Sequence, residues 1–280
     1  MMRQRQGQIH WFADWSEGSA RSTAVETHAY VRFGWQGGVA YQSLSTIARL
    51  SWGERKYDGF FSRRYAYSSL YPVLYLGLET GHWAEITNHQ SPITNAQNGL
   101  YAHLRVMLTQ HAQLGMGGSL DYALQAGAVF GSVPSFLLWQ ANANQSYAYD
   151  PYRFTLLHGG ELPADKYLAL HAEWNGQGIL FNLIPGIRWL HMRELVEAKI
   201  AYSYLSNLKI SESSNNQIFE SSNNPSPHSL YAEVGVGIGN ILRVCDLYSV
   251  WSLVPAASPL SAQQKGSAMW ALRFRIHLGL

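Results

Sequence analysis

The sequence predicts an all-β protein, an antiparallel transmembrane β-barrel of about ten strands, from three observations. First, charged residues make up 14% and aromatic residues 13% of the 280 residues, whereas soluble domains average roughly 25% charged residues. Second, long segments alternate apolar and polar residues with the period of two that a β-strand has. Third, no apolar run approaches the ~18 residues of a transmembrane helix. We therefore expect strands, not helices, to cross a membrane.

The C-terminal segment shows the alternation most clearly. From Trp270 to Leu280 the apolar residues fall on one face, while Arg273, Arg275 and His277 fall on the other. An arginine on the lipid-facing side of a barrel costs about 2–4 kcal/mol at the bilayer midplane. The polar face is therefore expected to line the lumen, and the apolar face is expected to contact lipid.

Eight segments upstream alternate in the same way, and each is interpreted as a strand. Residues 241–253 fit a further strand if Asp246 faces the lumen and Arg243 lies in the preceding turn. Gly239 and Asn240 are predicted to form a tight turn. The eight upstream segments are 29–35, 44–52, 74–78, 104–108, 120–130, 168–174, 196–204 and 232–238.

The polar faces of these segments carry charged side chains, which we expect to form a network in the lumen. Such a network is interpreted as filling and ordering the interior rather than lining a pore. His103, His171 and His277 are expected to be polar fillers of the same lumen. The expected network consists of Arg105, Glu173, Glu197, Lys199, Glu233, Arg273 and Arg275.

Two long connections are predicted. Residues 131–164 form the longest, and residues 207–227 form a polar, proline-containing loop that we expect to be mobile. Counted back from the C-terminus, both lie on the extracellular side, where outer-membrane barrels have their long loops. Aromatic residues near segment ends are typical of interfacial girdles. The candidates are Trp35, Trp52, Trp83, Trp174 and Tyr204.

The chain is predicted to contain one domain, because its composition does not shift sharply at any point. Residues 27–280 are assigned to the barrel, and residues 1–26 to an N-terminal extension or partial strand. The N-terminus lacks the apolar core of a secretory signal. We therefore expect either that a signal has been removed or that the chain is a piece of a longer one.

Five blocks of sequence, in order and spacing, resemble the C-terminal barrel of a Bacteroidota outer-membrane family. That family is one of unknown function, and its barrel usually follows a carboxypeptidase-regulatory-like β-domain. The resemblance extends over residues 70–280. The blocks are GSLDYALQAGAVFGSVP at 118–134, YRFTLL at 152–157, ELPADKY at 161–167, FNLIP at 181–185 and MRELV at 192–196.

The resemblance implies a barrel distantly similar to the BamA-like surface-antigen superfamily, whose members have roughly sixteen strands. The chain would then be either a complete barrel or the C-terminal part of a larger one. In that superfamily the third loop from the C-terminus folds into the lumen and carries an adjacent Arg-Gly pair. The resemblance therefore predicts that the loop at 131–164 folds into the lumen, with Arg153 as the candidate for the inward arginine, although the adjacent Arg-Gly pair is absent. The candidate residues of this lumen-inserted loop are Arg153, Phe154, Gly159, Gly160 and Glu161.

The sequence predicts no catalysis, cofactor or metal. Cys245 is the single cysteine, which excludes a disulfide framework, and it is expected to lie in a strand. The eleven histidines form no helical metal motif. His158, Glu161 and Asp165 are the candidates for hydrolytic chemistry, because they lie together near a strand entrance. Glycines at 115–118 and 235–239 are interpreted as points of curvature rather than as phosphate-binding loops.

We expect a bacterial outer-membrane protein with a role in envelope assembly, protein translocation or transport. Its expected partners are outer-membrane lipid and other envelope proteins. Nucleic acid is not an expected partner, because the net charge is only +2 and the basic residues are scattered. Two alternatives remain. One is a self-contained ten-stranded porin or adhesin, and the other is an outer-membrane hydrolase.

Overall fold

The computed structural model describes residues 11–16, 23–36, 39–52, 55–58, 64–67, 71–85, 98–186, 188–205, 228–255 and 268–276. These residues form strands, connections and four short 3-10 turns, with no α-helix among them. None of the helical segments described is long and apolar enough to span a membrane. The predicted loop at 207–227 and the predicted lumen residue His277 lie outside the described residues.

Eleven of the described strands form one antiparallel sheet, in which strand order follows chain order. Four further strands form two small hairpins, β4 with β5 and β9 with β10. The strands are β1 Trp11–Ser16, β2 Thr23–Gln36, β3 Val39–Trp52, β4 Arg55–Asp58, β5 Arg64–Tyr67, β6 Val73–Glu85, β7 Asn98–Gln113, β8 Ser119–Phe130, β9 Trp139–Gln140, β10 Pro163–Ala164, β11 Lys166–Asn175, β12 Arg193–Tyr204, β13 His228–Ile241, β14 Cys245–Val254 and β15 Trp270–Ile276.

The all-β, antiparallel architecture is therefore confirmed. Ten strands of the large sheet coincide with the ten predicted segments, and β1 is the additional one. Both β1 and β2 begin before residue 27, where the predicted barrel domain starts. Cys245 is the first residue of β14, as expected of a strand residue.

The sheet is not closed into a barrel among the described residues. In this part of the chain β1 pairs with β2 alone. The outer edge of β15 contacts residues 147–149 instead of another long strand. Tyr149 donates its backbone N–H to the Phe274 carbonyl at 2.7 Å, and Phe274 donates to the Tyr147 carbonyl at 3.2 Å.

The sheet is nevertheless strongly curled. Strands β11 and β15 are four positions apart in the sheet, which is about 19 Å in a flat sheet with neighbours ~4.8 Å apart. Yet Arg275 of β15 places its Nη2 atom 2.9 Å from Oε1 of Glu173 in β11. Two side chains on one face meet across that span only if the face is concave.

The concave face is polar and buried, whereas the convex face is apolar and exposed. In β12, Glu197 and Lys199 are each 1% exposed, while Val196 and Ile200 are 37% and 41% exposed. This is the reverse of a soluble protein, in which the apolar side chains form the core. We refer to the two sides as the polar face and the apolar face.

Large side chains on the polar face lie opposite glycines on the neighbouring strand. A Cβ atom added to Gly127 would lie 2.6 Å from the ring of Tyr167, its partner across the ladder. The missing Cβ leaves room for the ring, so a large side chain fits on the concave face. The other close pairs are Gly34 with Tyr41, Gly81 with Tyr101, Gly235 with Glu197 and Gly237 with Tyr248.

Two local predictions are wrong. Gly239 and Asn240 do not form the turn between β13 and β14, because β13 continues to Ile241 and the turn is at 242–244, where Arg243 lies. A register shift between Ile238 and Ile241 and a φ of 61° at Asn240 mark an irregularity that lengthens the strand.

Trp83 is not an interfacial residue. It is 2% exposed, and its indole N–H donates to the Ser132 carbonyl at 2.7 Å. The residue that accepts this bond lies far along the chain, so a local pattern does not reveal the contact.

Substitution of Gly127 by valine should destabilise the protein by about 1–3 kcal/mol, the usual cost of overpacking. The cause is the clash with the Tyr167 ring, so the same substitution should cost much less in a Tyr167→Ala background. The free energy of unfolding, measured by urea titration, tests both. Ala126→Val, on the apolar face next door, is the control and should have little effect. Equal losses of stability with and without Tyr167 would contradict the interpretation that Gly127 leaves room for the Tyr167 ring.

Candidate functional site

Residues 131–164, which join β8 to β11, cover the polar face, and we call them the covering segment. Near its start, Phe136 packs against Tyr41 of β3. Further along, Thr155 and Leu156 contact Glu233 of β13, and Tyr149 contacts β15 through the Phe274 backbone. The segment therefore meets strands from β3 to β15 across one face.

The covering segment also extends far along the strand direction. Its residues Pro151 and Tyr152 line a cavity of about 230 Å³ together with Asp121 of β8 and Glu173 of β11. Asp121 lies nine residues from Phe130, where β8 ends and the segment begins. At ~3.4 Å per residue that distance is about 30 Å. The tip of the segment thus reaches the far end of the sheet.

Three apolar clusters hold the segment to the sheet. The first packs Val133 and Leu138 against Val39, Trp83, Tyr101 and Val129. The second packs Phe154, Leu157 and Leu162 against Ala169, Ala201 and Tyr231. The third packs Tyr149 and Leu156 against Leu195, Tyr248 and Val250. Among the described residues, the buried apolar clusters therefore lie between the covering segment and the polar face.

A buried ionic group lies under the middle of the segment. Lys199 Nζ is 3.1 Å from Glu197 Oε2 and 3.5 Å from Glu233 Oε1, and all three side chains are at most 1% exposed. Lys199 also donates to the carbonyl of Arg153 at 2.8 Å and to Thr155 Oγ1 at 3.1 Å. The Lys199 ammonium group thus binds both the carboxylates of the sheet and the covering segment.

Glu233 binds the backbone of the covering segment directly. Its two oxygens accept the N–H groups of Thr155 at 2.8 Å and Leu156 at 3.1 Å. The hydroxyl of Tyr231 donates to the same carboxylate at 2.7 Å. Hydrogen bonds to a carboxylate are among the strong ones, so this residue fixes the position of the segment.

A second ionic group joins β11, β14 and β15. Arg275 donates to Glu173 at 2.9 Å and to Asp246 Oδ2 at 2.9 Å. Tyr248 donates its hydroxyl to Glu173 at 3.2 Å. The neighbouring Arg273 instead donates to the Thr155 carbonyl at 3.1 Å. This group links strands that are up to four positions apart in the curled sheet.

Tyr149 of the covering segment connects the two groups. Its ring stacks on Tyr248 with centroids 3.8 Å apart, and the cations of Lys199 and Arg275 lie 4.8 Å and 5.4 Å from its centroid. Burial, followed by the nearby charge of Glu197, raises the pKa of Tyr149 well above its ordinary value. The phenol is therefore neutral, and it acts as an aromatic partner for both cations.

The third ionic group lies among β2, β3, β6 and β7. Glu79 accepts hydrogen bonds from Ser43 at 3.0 Å, from Tyr101 at 3.2 Å and from Arg105 at 3.1 Å. Arg32 is 3.8 Å from the same carboxylate. Arg105 thus belongs to a cluster separate from the other six members of the predicted network.

The structure places the five predicted loop residues differently from one another. Phe154 and Glu161 are buried, 1% and 3% exposed. The side chain of Arg153 is 57% exposed and pairs with Asp150 at 3.0 Å, so its guanidinium is not the cation buried at the polar face. The buried cation under the covering segment is Lys199 of β12. Gly159 and Gly160 lie in the turn before Glu161, with a φ of 85° at Gly160.

Several residues of the site were not singled out by the sequence. Glu79 and Tyr248 alternate on the same faces as the predicted charges, so the alternation itself could have identified them. Tyr149 lies in an irregular connection, and only its tertiary contacts reveal it.

Of the hydrolytic candidates, His158 and Glu161 come together. His158 Nδ1 is 3.1 Å from Glu161 Oε1, and the His158 backbone N–H donates to Oε2 at 3.0 Å. The pair is three residues apart and closes a local turn. Within the described ranges, no three His, Cys, Asp or Glu side chains converge as a metal site.

Comparison with protein families shows which family the chain resembles. The model for the C-terminal domain of a family of unknown function (DUF5686) matches residues 39–209. The matched residues include β3 through β12 and the whole covering segment. No curated protein matches the chain.

Removal of the Lys199 charge should be strongly destabilising. Lys199→Met leaves Glu197 and Glu233 buried without their cation, and breaking a buried pair in this way costs about 3–5 kcal/mol. The free energy of unfolding, measured by urea titration, tests this. Lys166→Met, at an exposed position of β11, is the matched control and should change it by less than about 1 kcal/mol. A loss at Lys199 no larger than at Lys166 would contradict the role of the buried group.

Proposed function

The chain belongs to the DUF5686 family of unknown function, whose C-terminal domain it contains, and we propose that it is a β-barrel protein of the bacterial outer membrane. In this proposal the covering segment fills the lumen. The protein acts in envelope assembly, protein translocation or transport, as its resemblance to BamA-like barrels implies, and not as an open pore.

The observation that carries the proposal is the exposed apolar face. Each of the ten strands of the sheet whose side chains are described presents large apolar residues outward. Soluble monomers rarely expose contiguous apolar patches of more than a few hundred Å². The exposed residues include Val31, Phe33, Leu44, Leu76, Leu78, Leu104, Leu124, Leu168, Ile200, Val236, Leu247, Trp251, Leu272 and Ile276.

The length of the strands also supports a membrane environment. A transmembrane strand needs about 9–11 residues. Strands β6, β7 and β8 contain 13, 16 and 12 residues, which is long for soluble strands of about five or six residues. Both alternation and length therefore agree with a wall that separates hydrocarbon from a polar interior.

The covered polar face favours a filled barrel over a porin. Porins leave a water-filled lumen, whereas here the covering segment reaches from β3 to β15 and about 30 Å along β8. Its contacts are buried apolar clusters and paired charges, which are features of a stable core. A role in which the segment stays in place fits this packing best.

An arginine in the middle of the apolar face should prevent stable insertion. Val236→Arg should reduce the free energy of folding into lipid vesicles by about 2–4 kcal/mol, since Val236 would face the bilayer core. Leu230→Arg is the matched control: it is on the same face of β13 and similarly exposed, but close to the strand end, where the cost is about 0–1 kcal/mol. Urea titration in vesicles measures both. Equal small effects would show that this face is in water.

Replacement of residues 142–158 by a short Gly-Ser linker should open a conducting path. The wild-type chain should show little conductance in planar bilayers, because the segment fills the lumen. A Glu233→Gln, Lys199→Gln double variant keeps the chain length and weakens the same anchors, so it should conduct intermittently. Wild-type conductance equal to that of the linker variant would contradict the filled lumen and favour a porin.

A further inference from the structure

The connections at one end of the sheet form a continuous surface, which we call the turn platform. It consists of residues 114–118, 176–186, 188–192 and 242–244, from the connections of β7 to β8, β11 to β12 and β13 to β14, together with Arg193, the first residue of β12. The ladder registers place all three at the same end, where Gln113 pairs with Ser119 and Ile241 pairs with Cys245.

Hydrogen bonds link the turn platform to itself and to the sheet. The indole N–H of Trp174 donates to the Gly117 carbonyl at 2.8 Å. The Asn240 side chain donates to the His191 carbonyl at 2.6 Å. Glu194, which is buried, accepts the backbone N–H of Leu180 at 3.0 Å. The three connections are therefore held as one surface.

The turn platform exposes large apolar side chains. Met116, Leu183, Trp189 and Leu242 are 97%, 75%, 74% and 81% exposed. Turns are ordinarily polar, and a buried apolar side chain gains about 25 cal/mol per Å² relative to water. These side chains therefore favour a nonaqueous neighbour. Leu114, Ile179, Leu180, Ile184 and Val244 are also exposed.

The charge of the turn platform is positive throughout. Residues 176–193 contain Arg188 and Arg193 and no aspartate or glutamate, and residues 242–244 contribute Arg243. Exposed apolar residues mixed with arginine, without carboxylates, are the composition of segments that lie in a membrane interface. Arginine binds phosphate oxygens with good geometry.

The apolar part of the turn platform continues onto the apolar face of the sheet. Val196, Ile238, Leu247 and Ile276 lie at the same end of their strands and are exposed outward. A bilayer that contacts the strands would thus reach the turns without crossing a polar stripe. A protein partner would not need this continuity.

We propose that the turn platform lies in the headgroup layer of the bilayer and binds anionic phospholipid headgroups through Arg188, Arg193 and Arg243. Trp189 and the neighbouring leucines enter the boundary between headgroups and acyl chains, where tryptophan is enriched. This inference rests on the proposed membrane location and adds the lipid class and the residues that bind it.

The test places an environment-sensitive fluorophore on Leu183→Cys in a Cys245→Ser background. The full chain is reconstituted in phosphatidylcholine vesicles, and phosphatidylglycerol with a nitroxide on its headgroup is titrated in. The label at 183 should be quenched at a low mole fraction of this lipid. A label on Gln145→Cys, an exposed position of the covering segment, is the control and should be quenched weakly.

The arginines should determine the lipid preference. Arg188→Gln, Arg193→Gln and Arg243→Gln should each raise the quencher concentration needed at position 183 about fivefold at low salt, which corresponds to ~1 kcal/mol per basic residue near an anionic surface. Quenching by phosphatidylcholine with the same nitroxide should be unchanged by these substitutions.

Two failures are distinguishable. A chain that inserts, with strand content and resistance to unfolding in SDS, but whose label at 183 is quenched no more than at 145 overturns the lipid-binding surface. It leaves the proposed membrane location intact and favours a protein partner for the turn platform. A folded chain that does not enter vesicles overturns both.

Discussion

The arrangement of the interior depends on the Glu233 carboxylate, which binds both the covering segment and Lys199. It accepts two backbone N–H groups of the covering segment and lies 3.5 Å from the Lys199 ammonium. Desolvation of each buried ion costs several kcal/mol, which is offset only when its hydrogen bonds are satisfied. The sheet thus needs the segment for its partners, and the segment needs the sheet to satisfy its backbone. Each therefore provides partners for polar groups that the other buries.

That mutual dependence also explains the curl of the sheet. The ionic group of Arg275 with Glu173 and Asp246 joins strands that a flat sheet would hold about 19 Å apart, and Tyr149 lies between it and Lys199. The concave face must accommodate tyrosine, arginine and glutamate side chains that converge. Glycines opposite Tyr167, Tyr101 and Tyr248 supply that space, so curvature and charge pairing are parts of one arrangement.

The period-two alternation was sufficient to predict most strands and the face on which each residue lies. It depends on the pleat alone, which is a local property. It could not predict which charges pair, because Glu173 and Arg275 are 102 residues apart and meet through the curl. Arg153 was expected to face the interior from the segment, whereas Lys199 provides the cation from β12. The misplaced turn at Asn240 has a similar cause, since an irregularity in strand pairing has no simple sequence signal.

The two faces of the sheet make different demands on their surroundings. The charged side chains of the polar face pair with one another and with the covering segment, so most of their partners lie within the chain. The apolar face and the turn platform receive no such cover from the described residues, and their exposed side chains are large, such as Phe33, Trp189 and Leu272. In water this surface would favour aggregation. Under the proposal, hydrocarbon covers the apolar residues of the strands. The headgroup layer covers the turns, where apolar residues are mixed with arginines.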